Sequence, residues 1–216
     1  MVPSRSLFAI SVFYGGMTCI AGVLGNKLVA LGPLAVEAGI FAFLLLVVMS
    51  SVVAETAGRA TANRLVIFGF IPLIISMLLI RLVLALPPAE FWEEERRAAF
   101  DIILNQSSRL MLAGMIAYGV SQLLNVSIFA WLKGKAGAGS RFAWARGLIA
   151  GVLSQTVDTV LFITIAFYGV EPIELILPGQ LIAKIVLTAL LVPPLIQLGI
   201  ALSRRVDGPA IGKQPA

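Results

Sequence analysis

Long apolar stretches alternate along this chain with short segments where charge, glycine and proline gather. A membrane-spanning helix needs roughly 20 mostly apolar residues. By that measure six helices are expected, over about residues 5–30, 34–57, 63–86, 105–132, 143–169 and 174–203. Three of the breaks are short: 58–62 around Arg59, the glycine-rich basic stretch 133–142, and the turn marked by Glu171, Pro172 and Glu174. The longest connection, 87–104, mixes Glu90, Glu93, Glu94, Glu95, Arg96, Arg97 and Asp101 with Phe91, Trp92, Phe100, Ile102 and Ile103. That mixture fits a short interfacial helix or a solvated acidic loop. The expected fold is an all-α integral membrane protein: one six-helix transmembrane domain over residues 1–216, with 87–104 an extracytoplasmic loop and 204–216 a cytoplasmic tail.

Composition agrees with the pattern. The chain is 59% hydrophobic and 12% charged, against about 25% charged in soluble domains. Charge also orients it. Arg5, Arg59, Arg64, Lys133, Lys135, Arg141, Arg146, Arg204, Arg205 and Lys213 fall on one side of a six-span reading. The acidic connection and Glu171 fall on the other, with Lys27, Arg96 and Arg97 as its main basic residues. The positive-inside rule then places both termini in the cytoplasm. The net charge of +5 is thus spent at helix ends, and nucleic acid is not expected as a partner. The uncharged run Ser6–Asn26 after Arg5 reads as a retained first helix rather than a cleaved signal.

One cysteine, Cys19, and no histidine exclude an internal disulfide, a thiolate zinc cluster and histidine-based triads. The GxxxxGK[ST] phosphate loop is absent as well. No cofactor or metal is expected, and an enzyme is the weaker class. The expected partners are a small molecule and membrane lipid. The sequence carries no signal of oligomeric state.

Polar side chains inside the apolar runs are the candidates for function, since a charge at mid-bilayer costs about 3 kcal/mol on insertion scales. Asp158 lies near the middle of the fifth segment, in Ser154-Gln155-Thr156-Val157-Asp158-Thr159. Gln155 and Ser154, three and four residues earlier, share its helix face. Gln122 and Asn125 repeat the three-residue spacing in the fourth segment, beside Ser121. Such a stripe forms either a site or interhelical hydrogen bonds. Asn26 and Lys27 end the first segment; Asn105, Gln106 and Arg109 begin the fourth and fit interfacial anchoring. Glu55 ends the second segment, where Arg59 stands four residues on as a potential partner. Lys184 in the sixth either neutralises Asp158 or snorkels along its helix. Phe162, Phe167 and Tyr168 fit lipid- or core-facing positions better than stacking platforms.

These same residues carry a family resemblance. Asn26-Lys27-Leu28-Val29-Ala30 with Gly32-Pro33, Ala54-Glu55-Thr56-Ala57-Gly58-Arg59, and Ala117-Tyr118-Gly119-Val120-Ser121-Gln122-Leu123-Leu124-Asn125-Val126 resemble segments of the queuosine-precursor transporters. Trp144-Ala145-Arg146 followed by Ser154-Gln155-Thr156-Val157-Asp158-Thr159-Val160-Leu161-Phe162 is the most specific match, and Lys184 with Pro193 also fits. That family often has aspartate where Ser51 stands and tyrosine where Ala57 stands. The resemblance implies a bundle similar to the substrate-binding components of energy-coupling-factor vitamin transporters, in the bacterial inner membrane. It also implies import of a deazaguanine precursor of queuosine, 7-cyano-7-deazaguanine or its aminomethyl analogue. A substrate-capture subunit of an ATP-driven transporter is the alternative. The substrate-binding residues expected are Asp158, Gln155, Glu55, Gln122, Asn125, Asn26 and Lys184.

Overall fold

The computed structural model describes residues 4–31, 34–105, 108–136, 142–169 and 173–208. Within these the chain forms α1 (Arg5–Leu24), β1 (Leu28–Leu31), β2 (Leu34–Glu37), α2 (Gly39–Thr56), α3 (Arg59–Ala85), α4 (Glu94–Leu104), α5 (Ser108–Ala136), α6 (Ala143–Phe167) and α7 (Ile173–Asp207). Six helices (α1, α2, α3, α5, α6 and α7) are long and apolar enough to cross a membrane. The protein is a multi-pass membrane protein built as a six-helix bundle.

α2 is the axial helix. Leu44, Leu46, Val47, Val48, Val52 and Val53 are all buried, as expected of a helix apolar on every side. α1, α3, α5 and α7 pack around it, and α6 closes the ring between α5 and α7. α1 and α3 turn Phe8, Val12, Ile67, Phe68, Ile71, Leu78 and Leu82 outward. An apolar belt of that extent is a liability in water but a match for lipid. At the helix crossings small residues let backbones approach: a Cβ on Gly151 of α6 would meet Thr188 Cγ2 at 3.0 Å and Val47 Cγ1 at 3.5 Å. The first and last helices meet at one end of the bundle, where the Ser6 backbone N–H and hydroxyl donate to the Asp207 carboxylate at 2.9 and 2.6 Å.

The structure departs from the expected helix limits in several places, α5 among them, which runs to Ala136 and not to about 132. The first helix stops at Leu24, not near residue 30, and the second starts at Gly39. An antiparallel hairpin fills the gap, with Leu28 opposite Glu37 and Leu31 opposite Leu34. Its base is closed by the Ala38 N–H donating to the Lys27 carbonyl at 2.8 Å. A helix cannot run through a proline without losing a hydrogen bond. Two short strands pair their own backbone groups instead, which an apolar setting demands. Gly32 and Pro33 themselves lie outside the described residues.

The expected turn over 58–62 contracts to Ala57 and Gly58. Gly58 takes φ 85° and ψ 166°, a positive-φ extended conformation that glycine alone adopts readily, and α3 starts at once at Arg59. Residues 94–104 of the long connection are helical, as α4. α7 runs unbroken through Pro178, Pro193 and Pro194 to Asp207, so residues 204–207 of the expected tail extend the last helix. Residues 209–216 lie outside the described residues.

The hairpin's base depends on a glycine. A Cβ on Gly39 would lie 2.8 Å from the Ala21 carbonyl oxygen and 3.3 Å from Gly25 Cα. Both are backbone atoms and cannot swing aside. Gly39→Ala is expected to cost about 1–3 kcal/mol, read as a lower melting temperature of the detergent-purified protein. An unchanged melting temperature would contradict this packing.

Candidate functional site

A cavity of about 130 Å³ opens inside the bundle, on the half nearer the hairpin and α4. One ordered water needs about 10–15 Å³ by the same measure, so the space suits a small organic solute. Asn26 and Glu37 lie on its wall at the hairpin, Ile103 of α4 borders it, and Asp158, Lys184 and Tyr118 line its deep end. Much of the remaining lining is soft: Met77, Met111 and Met115 with Phe43 and Phe162. Thioethers and aromatic rings adapt to a flat heterocycle without demanding hydrogen bonds from it.

The charged centre is a buried ion pair. Lys184 Nζ donates to Asp158 Oδ2 at 2.8 Å, and the two side chains are 9% and 6% exposed. Ser121 Oγ donates to the other carboxylate oxygen at 3.0 Å. Lys184 therefore pairs with Asp158 and does not snorkel. α5, α6 and α7 each contribute one group to this junction, because Ser121, Asp158 and Lys184 all face the interior of adjacent helices.

Beside the junction or one helical turn beyond it, away from the hairpin, each of these helices carries a buried polar group that, among the described residues, has hydrogen-bonding capacity without a partner. On α6 it is Gln155, neither side-chain polar atom of which has a partner. On α7 it is Thr188, whose hydroxyl is unpartnered. On α5, Gln122 Oε1 accepts from Ser50 Oγ at 3.2 Å, and Asn125 Nδ2 donates to Ser50 Oγ and Ser51 Oγ at 3.0 and 3.1 Å. Gln122 Nε2 and Asn125 Oδ1 are left over. Buried amides without partners cost about 1–3 kcal/mol each.

The sequence-expected residues thus separate into three places. Asp158, Lys184 and Asn26 line the cavity. Asn26 is also tied to the mouth, its Nδ2 donating to the Ile103 carbonyl of α4 at 2.8 Å. Gln155, Gln122 and Asn125 form the deeper amide layer. Glu55 stands apart, at the end of the bundle away from the hairpin. Its expected partner Arg59 donates instead to Ser127 Oγ at 3.1 Å. Glu55 Oε2 meets Arg146 Nη2 at 2.9 Å and Lys133 Nζ at 3.4 Å. The Glu55 and Arg146 side chains are almost fully enclosed; the α2 terminus turns Glu55 inward, toward α5 and α6, so the neighbour four residues on along the chain cannot reach it. The Arg146 guanidinium also lies 5.4 Å from the centre of the Phe129 ring, a cation–π contact.

Arg109 Nε and Nη2 donate to the Ile165 and Tyr168 carbonyls at 2.6 and 2.7 Å, capping the end of α6. Asn105 accepts from Arg81 Nη1 at 2.9 Å, and Gln106 lies outside the described residues. Of the aromatics, Phe162 lines the cavity with Phe167 edge-on to it at 6.1 Å, while Tyr168 is exposed.

Two parts of the site escaped the sequence reading. Glu37 sat at the start of an expected helix, and the breaker Gly32-Pro33 was the available signal that the segment turns back on itself. The methionine lining is silent in sequence, because an apolar residue facing a cavity reads like one facing lipid.

Comparison with known proteins follows the same outline. A sequence profile of the family described as "Putative vitamin uptake transporter" matches residues 37–198. A protein of Bacillus subtilis (strain 168) described as "Probable queuosine precursor transporter" is 26% identical over 163 residues, 76% of this chain and 70% of that protein. No solved structure gives a significant match.

Proposed function

The chain belongs to the vitamin uptake transporter family, a family of transporters and not of enzymes, and on that premise we propose that it imports a deazaguanine precursor of queuosine across the bacterial inner membrane. The cavity ending at the Asp158–Lys184 pair carries this reading. A guanine-like ring presents a ring N–H and an exocyclic amino group side by side. A single carboxylate accepts both, and such charge-assisted pairing is strongest in a dry pocket. Asp158 takes that role and Lys184 donates to the ring carbonyl, so the protein ion pair exchanges one partner for another instead of leaving a bare charge. Gln155, Gln122 and Asn125 offer the next polar contacts along the path. The B. subtilis relative's description points to the same substrate class.

Orientation follows from charge. The end of the bundle that holds Arg59, Arg64, Arg146, Lys133, Arg204 and Arg205 faces the cytoplasm. The cavity then opens toward the outside, and the Glu55–Arg146–Lys133 cluster closes the inner end.

The test is uptake of labelled 7-cyano-7-deazaguanine by lipid vesicles holding only the purified protein. Saturable uptake is expected, reduced to the protein-free background by Asp158→Asn. Binding without transport would instead make the chain a capture subunit that needs an ATP-driven partner. Absence of both would overturn the proposal.

A further inference from the structure

Among the described residues that line it, the cavity holds two acids, Glu37 and Asp158, against one ammonium group, Lys184. Asp158 and Lys184 satisfy each other at 2.8 Å. Glu37, at the end of β2, lines the same cavity and is partly buried. Among the described residues it forms no ion pair within 4.0 Å. The groups around it are known from every neighbouring element. Lys184 comes from α7, Asp158 from α6, Tyr118 from α5, and Cys19 and Asn26 from α1 and its end. Arg81 of α3 is engaged with Asn105 and Met111, and Lys27 of the hairpin is exposed. α2 brings Phe43 and Leu46 to the cavity. With both carboxylates ionised the cavity carries one net negative charge; with one proton added it is neutral.

We propose that Glu37 is the proton-coupling residue of this transporter, taking a proton from the outer side as substrate enters and releasing it on the inner side. The argument is electrostatic. Moving a solute through the bundle requires the mouth at Asn26, Ile103 and Glu37 to shut. An ionised, unpaired carboxylate sealed into a membrane interior is costly. Ionised Glu37 therefore resists closure, and protonated Glu37 permits it. Asp158 is unsuited to this role, because its two carboxylate oxygens are already engaged by Lys184 and Ser121. The electrostatics already lean this way: burial pushes the Glu37 carboxyl above its ordinary value of 4.5, Lys184 opposes that, and Asp158 adds to it.

The sign has a consequence that needs no substrate. An acid whose folded-state value is raised binds protons more tightly folded than unfolded, so its contribution to stability is complete below about 4.5 and is lost as pH rises through the raised value. The wild-type protein is expected to lose melting temperature on going upward from pH 4.5 in a component that Glu37→Gln removes.

The transport test, which rests on the proposed substrate, uses vesicles with labelled 7-cyano-7-deazaguanine in two modes. In exchange mode, with equal pH and unlabelled substrate inside, wild type and Glu37→Gln are both expected to exchange label. In accumulation mode, with the outside acidified by one pH unit, wild type is expected to concentrate label several-fold and Glu37→Gln only to equilibrate it. Wild-type exchange with no response to the gradient would overturn proton coupling and leave the substrate assignment standing. Gradient-driven accumulation by Glu37→Gln would remove Glu37 from the role. No exchange by wild type would overturn both readings. If Glu37→Gln fails to fold, Glu37→Asp serves, with gradient-driven accumulation retained at a shifted pH optimum.

Discussion

Asp158→Ala is expected to destabilise the protein by about 3–5 kcal/mol and to abolish uptake, because it strands the Lys184 ammonium in the bundle interior. Removing one partner of a buried ion pair leaves an uncompensated charge, whereas replacing both with apolar groups of similar volume is often neutral. The same logic separates structure from function here. The double variant Asp158→Leu with Lys184→Met is expected to melt near the wild-type temperature. It is nonetheless expected to show no uptake, since the group proposed to recognise the solute is gone. Equal losses of stability in single and double variants would mean that the pair is not the closed unit seen at 2.8 Å. Wild-type uptake by the double variant would reduce the pair to interhelical glue.

The second large effect belongs to Glu55. This carboxylate holds Arg146 and Lys133 together, and its loss buries the Arg146 guanidinium without its counter-charge. Glu55→Ala is expected to cost about 3–5 kcal/mol. Arg146→Met is expected to cost less, because Lys133 remains at 3.4 Å from the carboxylate and its side chain, 27% exposed, reaches solvent. The asymmetry is the prediction: melting curves in which both variants fall equally would contradict it. The charge-reversed pair Glu55→Arg with Arg146→Glu should recover part of the loss.

The six spans were legible because a bilayer imposes a length that apolar runs either meet or miss. The polar stripe of Ser154, Gln155 and Asp158 was legible for a related reason: hydrocarbon makes each polar residue costly, so each one carries information. What the chain hid depends on contacts distant in sequence. Glu55 was matched with Arg59 by the local spacing rule, yet its partner Arg146 is 91 residues away. The hairpin looked like two helix ends, because Leu28–Leu31 and Leu34–Glu37 are as apolar as the helices they join. Glu37 consequently read as a helix-end acid and not as part of a cavity wall. The deeper layer was half visible. Gln122 and Asn125 announced themselves by spacing, but only the fold shows Ser50 and Ser51 of α2 taking up part of their capacity.

The most direct test of the recognition site is equilibrium binding of 7-cyano-7-deazaguanine and of its analogue lacking the exocyclic amino group, on detergent-purified wild type and Asp158→Asn. A site built around a carboxylate that accepts two N–H bonds rejects a ligand missing one of them, because a buried acceptor is then left unpaired. Saturable wild-type binding is expected, with at least ten-fold weaker binding of the analogue and loss of that discrimination in Asp158→Asn. Equal affinity of wild type for both ligands, or discrimination surviving in Asp158→Asn, would contradict this.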